Sequence, residues 1–252
     1  MMAGSTEMSS STLKGKSMKT GIIAGAYLLA LNASASAADA LTEAMDAAYA
    51  PYRAALFKTN GQSQPEAEQA IGQARRSWQS LQQRFGQSAP SPYAQDSRLP
   101  LTLAEVAAVY EKAEGEIRTG QLSQAHETLE AARDLMAELR RRNGVVSFSD
   151  HMNAYHAQME LLLTDGPAQT GQAAGLLRLL GQAGALDYLA RKLRSEAPPA
   201  LAADAEFGRL LAAVEQSVAA LMQALLAQDA AQAREALGRL KKPYSQLFLK
   251  FG

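Results

Sequence analysis

The sequence predicts an all-α protein in which two tandem up-down-up-down four-helix bundles follow a cleaved signal peptide. Three observations support this fold class. A short apolar run near the start is preceded by lysines and followed by small residues. Ala, Leu, Gln, Glu and Arg dominate the rest, with apolar residues at helical spacing. Turn patterns in the first half recur in the second half at a nearly constant offset.

Residues 1–37 have the pattern of a secretory signal peptide. Three lysines precede the apolar run TGIIAGAYLLALN, and the triplet ASA at residues 35–37 fits a signal-peptidase site. The apolar run is shorter than the roughly 20 residues that span a bilayer. We therefore expect export to a bacterial periplasm, with a mature chain that begins at about Ala38 and has no membrane span.

Charge and cysteine content narrow the possible functions. Removing residues 1–37 removes three Lys and one Glu, which lowers the formal net charge from +0 to about −2. This balance does not favour nucleic-acid binding. The absence of Cys excludes disulfides, thiolate ligands and covalent haem attachment through CxxCH. No GxSxG motif or phosphate-binding glycine loop is present, so we expect a protein that is not an enzyme.

Turn-forming residues divide the mature chain into about eight helices, because Gly, Pro, Asn and Asp cluster between the periodic segments. The predicted breaks lie at residues 60–61, 88–100, 120, 143–144, 165–167, 198–199, 228–229 and 243.

The repeated turn patterns predict two similar units of four helices. FKTNG at residues 57–61 corresponds to LLTDG at 162–166, an offset of 105. GQLSQAHETL at residues 120–129 corresponds to QDAAQAREAL at 228–237, an offset of 108. Units of this length match four-helix bundles with short loops. The predicted bundles comprise residues 38–146 and 147–252.

Acidic residues and histidines at helical spacing mark the predicted fourth and fifth helices. If the two helices pack antiparallel across the loop near residue 145, residues whose numbers sum to about 291 share one height. Glu130 then lies near Glu160, and Asp134 lies near His156. The sequence therefore predicts a metal site with His126 as an outer ligand. Its ligands are His126, Glu130, Asp134, His156 and Glu160.

The ligand types suit iron, zinc or manganese, whereas recruitment of Met152 or Met159 would favour copper. The alternative interpretation is a set of solvated ion pairs in which Arg133 and Arg140 compensate the acids. His151 lies about 140° around the helix from His156, so one regular helix cannot bring both imidazoles to one ion.

NAYH at residues 153–156 is similar to the haem-ligating segment of the soluble periplasmic b-type cytochromes, which are four-helix bundles related to the c′-type cytochromes. Those proteins carry an axial Met early in the first helix, and Met45 stands at a comparable distance from the predicted mature N-terminus. The resemblance implies non-covalent haem b bound by Met45 and His156. In this chain, however, NAYH opens the second unit.

The chain also resembles the imelysin-like iron-regulated periplasmic proteins, which pair two helical bundles and feature a His-x-x-Glu motif. This sequence has His-x-x-x-Glu instead, at His126 and at His156.

Taken together, these patterns favour a periplasmic protein that binds or handles iron, copper or zinc. One alternative is a cofactor-free adaptor that binds a protein partner through an apolar strip formed by Tyr244, Phe248 and Phe251. The other alternative is an electron-transfer protein with b-type haem.

Overall fold

The computed structural model describes residues 39–252, and most of them lie in α-helices. No strand occurs in this range, which confirms the all-α prediction. The predicted signal peptide at residues 1–37 lies outside the described residues.

Seven of the ten α-helices in the described range have 20 to 23 residues, and the other three are shorter. A short 3-10 helix, Tyr93–Gln95, lies between the second and third α-helices. The α-helices are α1 (Ala40–Asn60), α2 (Gln64–Phe85), α3 (Leu99–Arg118), α4 (Leu122–Arg142), α5 (Phe148–Gln169), α6 (Ala173–Ser195), α7 (Pro199–Ala202), α8 (Ala205–Leu226), α9 (Ala230–Arg239) and α10 (Lys241–Phe251).

Acidic side chains fix the start of several helices. Asp39, Asp204 and Asp229 precede α1, α8 and α9, and each accepts hydrogen bonds from backbone N–H groups in the first turn. At the start of α5, the Asp150 carboxylate accepts a hydrogen bond from the Ser147 N–H at 2.9 Å. These bonds satisfy donors that would otherwise lack a partner at a helix N-terminus.

The turns before α4 and after α4 each contain a glycine with positive φ. Gly120 has φ +76 and Gly144 has φ +69, a region in which a side chain would be strained. Helices end beside both glycines, where the sequence predicts breaks.

The break predicted at residues 165–167 does not occur, because α5 continues through Pro167 to Gln169. A Cβ added to Gly166 would lie 2.9 Å from Leu237 Cδ1 of α9. The glycine therefore allows α9 to approach α5 closely and does not form a turn. Pro167 is tolerated in the last turn, where the missing N–H removes only one helical hydrogen bond.

Neighbouring helices pack in two closed sets. In the first half, α1 packs on α2 and α4, and α3 packs on the same two helices. In the second half, α6 packs on α5 and α8, while α9 and α10 contact both α5 and α8. Helix α10 also packs on α1, so buried residues of both halves belong to one hydrophobic core. The division into two tandem bundles stays a prediction.

Helix α8 is the one helix within residues 39–252 whose length and composition would allow it to cross a membrane. Its residues Leu211, Val214 and Val218 are fully buried, and the helix packs on α6, α9 and α10. The apolar face of α8 is therefore part of the core that the other helices cover.

Candidate functional site

A pocket of about 330 Å³ lies where α1, α4, α5 and α10 converge. Of the side chains that line it, six are His, Glu, Arg or Lys, and five are aliphatic, aromatic or Met. We call the first set the ionic chain; its members are His126, Glu130, Arg133, His156, Glu160 and Lys241. We call the second set the apolar wall; its members are Leu56, Phe57, Met159, Tyr244 and Phe248.

Helical spacing places the α4 members of the ionic chain on one face. His126, Glu130 and Arg133 are related by four and three residues, so their side chains are neighbours on the helix surface. The Glu130 Oε1 atom lies 4.0 Å from His126 Nε2 and 3.5 Å from Arg133 Nη1. The carboxylate therefore lies between an imidazole and a guanidinium.

The hydrogen bonds of His126 orient its ring. The Nδ1 atom lies 3.0 Å from the carbonyl oxygen of Leu56, which can only accept a hydrogen bond. Nδ1 therefore carries a proton, and in the neutral ring the lone pair of Nε2 faces Glu130 and the pocket.

The His156 ring continues the ionic chain from α4 to α5. Arg133 Nη1 lies 3.3 Å from His156 Nδ1 and donates to it, because the guanidinium has no acceptor. In the neutral ring the proton then resides on Nε2, which lies 3.4 Å from Glu160 Oε1. Both ring nitrogens consequently have polar partners.

Lys241 of α10 ends the ionic chain, with Nζ 3.5 Å from Glu160 Oε1. The polar contact with His156 lowers the pKa of Glu160; partial burial opposes this effect, and the positive charge of Lys241 adds to it. Glu160 is therefore ionised at neutral pH. Besides the two imidazoles, the ionic chain contains two carboxylates, one guanidinium and one ammonium.

Stacked rings join Tyr244 of the apolar wall to two residues of α5. Tyr244 of α10 stacks on His156 at a centroid distance of 5.5 Å and on Tyr155 at 5.1 Å. Its hydroxyl donates to the Met152 carbonyl oxygen at 3.0 Å. These contacts attach α10 to α5 and orient the imidazole of His156 from the apolar side.

Two buried polar atoms of pocket residues lack a well-aligned hydrogen bond within the described residues, namely Asn153 Nδ2 and Glu160 Oε1. The Oδ1 atom of Asn153 accepts from the Tyr49 hydroxyl at 3.3 Å, which leaves the amide nitrogen as the free group. Glu160 Oε1 has only the long contacts to His156 and Lys241. Such atoms are costly to bury without a partner.

The structure places four of the five predicted metal ligands in this pocket; these are His126, Glu130, His156 and Glu160. Asp134 does not line the pocket. Its side chain is 72% exposed and contacts Arg133 Nε at 3.1 Å. Eight residues of helix rotate Asp134 by about 80° relative to His126, which turns it toward solvent.

No group of three or more His, Asp or Glu side chains within residues 39–252 is arranged to bind a metal ion. Arg133 separates two of the predicted ligands, because its guanidinium lies between Glu130 and His156. The sequence interpretation treated Arg133 as compensation for the acids and missed its place inside the site. Lys241 and Asn153 were also missed.

The two proposed haem ligands are not both in the pocket. Met45 is buried in the core of α1, eleven residues before Leu56, and does not line the pocket that contains His156. Binding of haem iron by His156 would also require the loss of one of its two polar contacts. Haem binding stays a prediction.

The apolar strip proposed for a protein partner packs within the chain. Tyr244 and Phe248 are buried, and Phe251 contacts Phe207 of α8 at a ring distance of 5.4 Å. The strip attaches α10 to α1, α5 and α8. Binding of a partner at this strip stays a prediction.

Comparisons with known protein families, with curated proteins and with solved structures found no match to this chain. The resemblances to the b-type cytochromes and to the imelysin-like proteins therefore stay predictions.

Proposed function

We propose that this protein binds a small polar organic molecule in the pocket between α1, α4, α5 and α10. The observation that supports this function is a pocket of about 330 Å³ that is lined by both the ionic chain and the apolar wall. Ligand pockets in proteins have volumes of roughly 300–1,000 Å³ and combine apolar walls with a few convergent polar groups.

Stability alone does not account for the ionic chain. Ion pairs at partly exposed positions contribute roughly 0–1 kcal/mol, and the removal of charges from water costs free energy. A row of six linked ionisable groups beside aromatic rings therefore supports a ligand site in this pocket.

The proposal includes the export and the two-bundle architecture that the sequence predicts. Helices α1 and α4 belong to the first predicted bundle, whereas α5 and α10 belong to the second. The pocket then lies between the bundles, and interfaces between structural units are common ligand sites. In this proposal the protein binds its ligand in the periplasm and does not act as an enzyme.

Thermal denaturation with a panel of amino acids, monocarboxylates, polyamines, monosaccharides and nucleosides tests the proposal. We expect at least one class to raise the melting temperature by about 5–10 °C at a free concentration 100 times its dissociation constant. Arg133→Met should abolish this shift, because the guanidinium links Glu130 to His156 while the methionine preserves most of the side-chain volume.

Arg191→Met is the matched control, since Arg191 is an exposed arginine on α6 whose ion pair with Asp187 is remote from the pocket. Its melting temperature should rise with the ligand as in the wild type. If no class stabilises the wild type, or if Arg133→Met responds as the wild type does, the proposal fails.

A transition-metal ion is the second candidate, and the orientation of His126 is the observation that favours it. An imidazole that donates Nδ1–H to a carbonyl oxygen presents Nε2 in the way typical of metal-ligating histidines. Glu130, His156 and Glu160 line the same pocket. Binding would require Arg133 to leave its place between Glu130 and His156.

The metal candidate predicts that Fe, Zn, Mn or Cu ions raise the melting temperature. His156→Ala should lose most of the shift, whereas His151→Ala should retain it, because His151 lies near Glu196 outside the pocket. Arg133→Met should bind the ion more tightly, since it removes a competing cation. Melting curves of the four proteins with and without each ion decide the question. If no ion stabilises the wild type or Arg133→Met, the metal candidate is rejected.

A further inference from the structure

We infer that the ligand of this pocket carries a planar aromatic ring with polar substituents, and that this ring packs against the imidazole of His156. The inference rests on the proposed function and names the chemical class of its ligand. It is supported by the part of the His156 ring that the protein leaves uncovered, by the other rings of the pocket, and by the charged groups that solvent reaches there.

The surroundings of His156 determine which part of its ring a ligand can reach. Arg133 Nη1 lies 3.3 Å from Nδ1, and Glu160 Oε1 lies 3.4 Å from Nε2. One face of the ring stacks on Tyr244 at a centroid distance of 5.5 Å and an interplanar angle of 15°. The His156 side chain is nevertheless 22% exposed and lines the pocket. The surface left for a ligand is therefore the second face of the ring with its C–H edge.

An aromatic ring complements this surface better than a saturated one. Aromatic rings attract one another in offset-stacked or edge-to-face arrangements, and this attraction adds to the burial of their area. Tyr244, on the covered face of His156, is itself nearly parallel to Tyr155, with an interplanar angle of 20°. A ligand ring on the open face would extend this set of stacked rings. A saturated ring would gain only the burial of its apolar surface.

Other rings of the pocket offer further aromatic surface. Three of the fourteen lining residues are Phe or Tyr, although Phe, Trp and Tyr together make up only 6% of the chain. Phe57 is the most accessible of the three, since Tyr244 and Phe248 are buried. Phe57 belongs to α1 and His156 belongs to α5, so the pocket presents accessible rings from two helices.

Accessible charged groups of the pocket favour polar substituents on the ligand ring. The Glu130 side chain is 37% exposed, and its contacts at 3.5 and 4.0 Å are longer than good hydrogen bonds. The Lys241 side chain is 49% exposed, with Nζ 3.5 Å from Glu160. Glu130 can therefore accept from an N–H or O–H substituent, and Lys241 can donate to an oxygen or a ring nitrogen. A hydrocarbon ring without substituents would make neither bond.

Isothermal titration calorimetry with matched pairs of probes tests the inference. The members of each pair carry the same charged groups and differ in whether the ring is aromatic or saturated. The pairs are phenylalanine with cyclohexylalanine, benzoate with cyclohexanecarboxylate, and benzylamine with cyclohexylmethylamine; adenosine is compared with ribose, which lacks the base. We expect at least one aromatic probe to bind roughly threefold to tenfold more tightly than its partner, the usual size of an aromatic pairing effect.

His156→Leu is the decisive variant, because leucine retains an apolar side chain but removes the ring. The ratio of the affinities for the aromatic probe and its partner should fall to about one. His156→Phe returns a ring to this position and should restore the preference. Phe57→Leu should lower the ratio and covers the case in which His156→Leu does not fold. Tyr188→Leu is the control, since it removes an exposed ring of α6 outside the pocket and should retain the wild-type ratio.

The outcomes separate this inference from the proposed function. The aromatic ligand is overturned if no aromatic probe binds, if every partner binds as tightly as its aromatic probe, or if His156→Leu and Phe57→Leu both retain the wild-type ratio. The pocket then remains a ligand site as long as another class of the thermal panel stabilises the protein. Failure of every class in the thermal panel overturns both.

Discussion

Replacing Asp150 by alanine should lower the free energy of unfolding by about 3–5 kcal/mol, because it leaves a buried guanidinium without its carboxylate. Arg140 is only 1% exposed, and its Nε donates to Asp150 Oδ2 at 2.9 Å while Nη2 donates to the other carboxylate oxygen. Asp150 also accepts from the Ser147 N–H at the start of α5. The substitution therefore removes a buried ion pair and a helix cap together.

Urea denaturation monitored by circular dichroism measures this loss as a lower midpoint with an unchanged slope. Arg140→Met combined with Asp150→Leu is the informative control, since removing both charges should recover most of the stability. Asp46 is the competing carboxylate, because its charge also acts on Arg140. A loss below about 1 kcal/mol in Asp150→Ala would show that Asp46 replaces Asp150, contrary to this prediction.

The ends of several helices could be predicted because local chemistry determines them. Gly120 and Gly144 adopt positive φ, which most other residues avoid. A glycine that follows an apolar run at helical spacing is therefore a typical helix end. Gly166 has the same appearance in the sequence. Its role depends on Leu237 of α9, some seventy residues later, which no local pattern reveals.

The α4 and α5 part of the site was partly predictable for a similar reason. His126 with Glu130, and His156 with Glu160, follow from spacing on single helices and from the short connection between the two helices. The position of Arg133 beside these residues could also be predicted, because it lies seven residues after His126, on the same face of α4. The predicted metal site depends on the types of its ligands, and a cation among those ligands opposes the binding of a metal ion there.

The α10 part of the site could not be predicted. Lys241 and Tyr244 reach the pocket only because α10 turns at Leu240 and packs across α1, α5 and α8. The sequence leaves open whether the apolar strip of α10 binds a protein partner, since an amphipathic helix has the same pattern whether its own chain or a partner covers it. Tertiary contacts decide between these possibilities.

Replacing Trp78 by alanine should lower the free energy of unfolding by about 3–5 kcal/mol, the usual cost of removing a large buried aromatic side chain. Trp78 is fully buried between α2 and α3, and its indole N–H donates to the Leu103 carbonyl oxygen at 2.8 Å. Its ring packs edge-on against Tyr110 at a centroid distance of 6.0 Å. The alanine variant leaves a cavity and removes this hydrogen bond.

Urea denaturation monitored by circular dichroism again measures the effect; tryptophan fluorescence is not a usable signal for the alanine variant, because Trp78 is the only tryptophan. Trp78→Phe should cost less, about 1–2 kcal/mol, since it retains most of the ring volume. The Leu103 carbonyl oxygen also retains a second donor, Gln82 Nε2 at 3.0 Å. Equal losses of unfolding free energy in the two variants would show that Trp78 stabilises the fold through its hydrogen bond. A loss below about 1 kcal/mol in Trp78→Ala would show that α2 and α3 pack without this side chain.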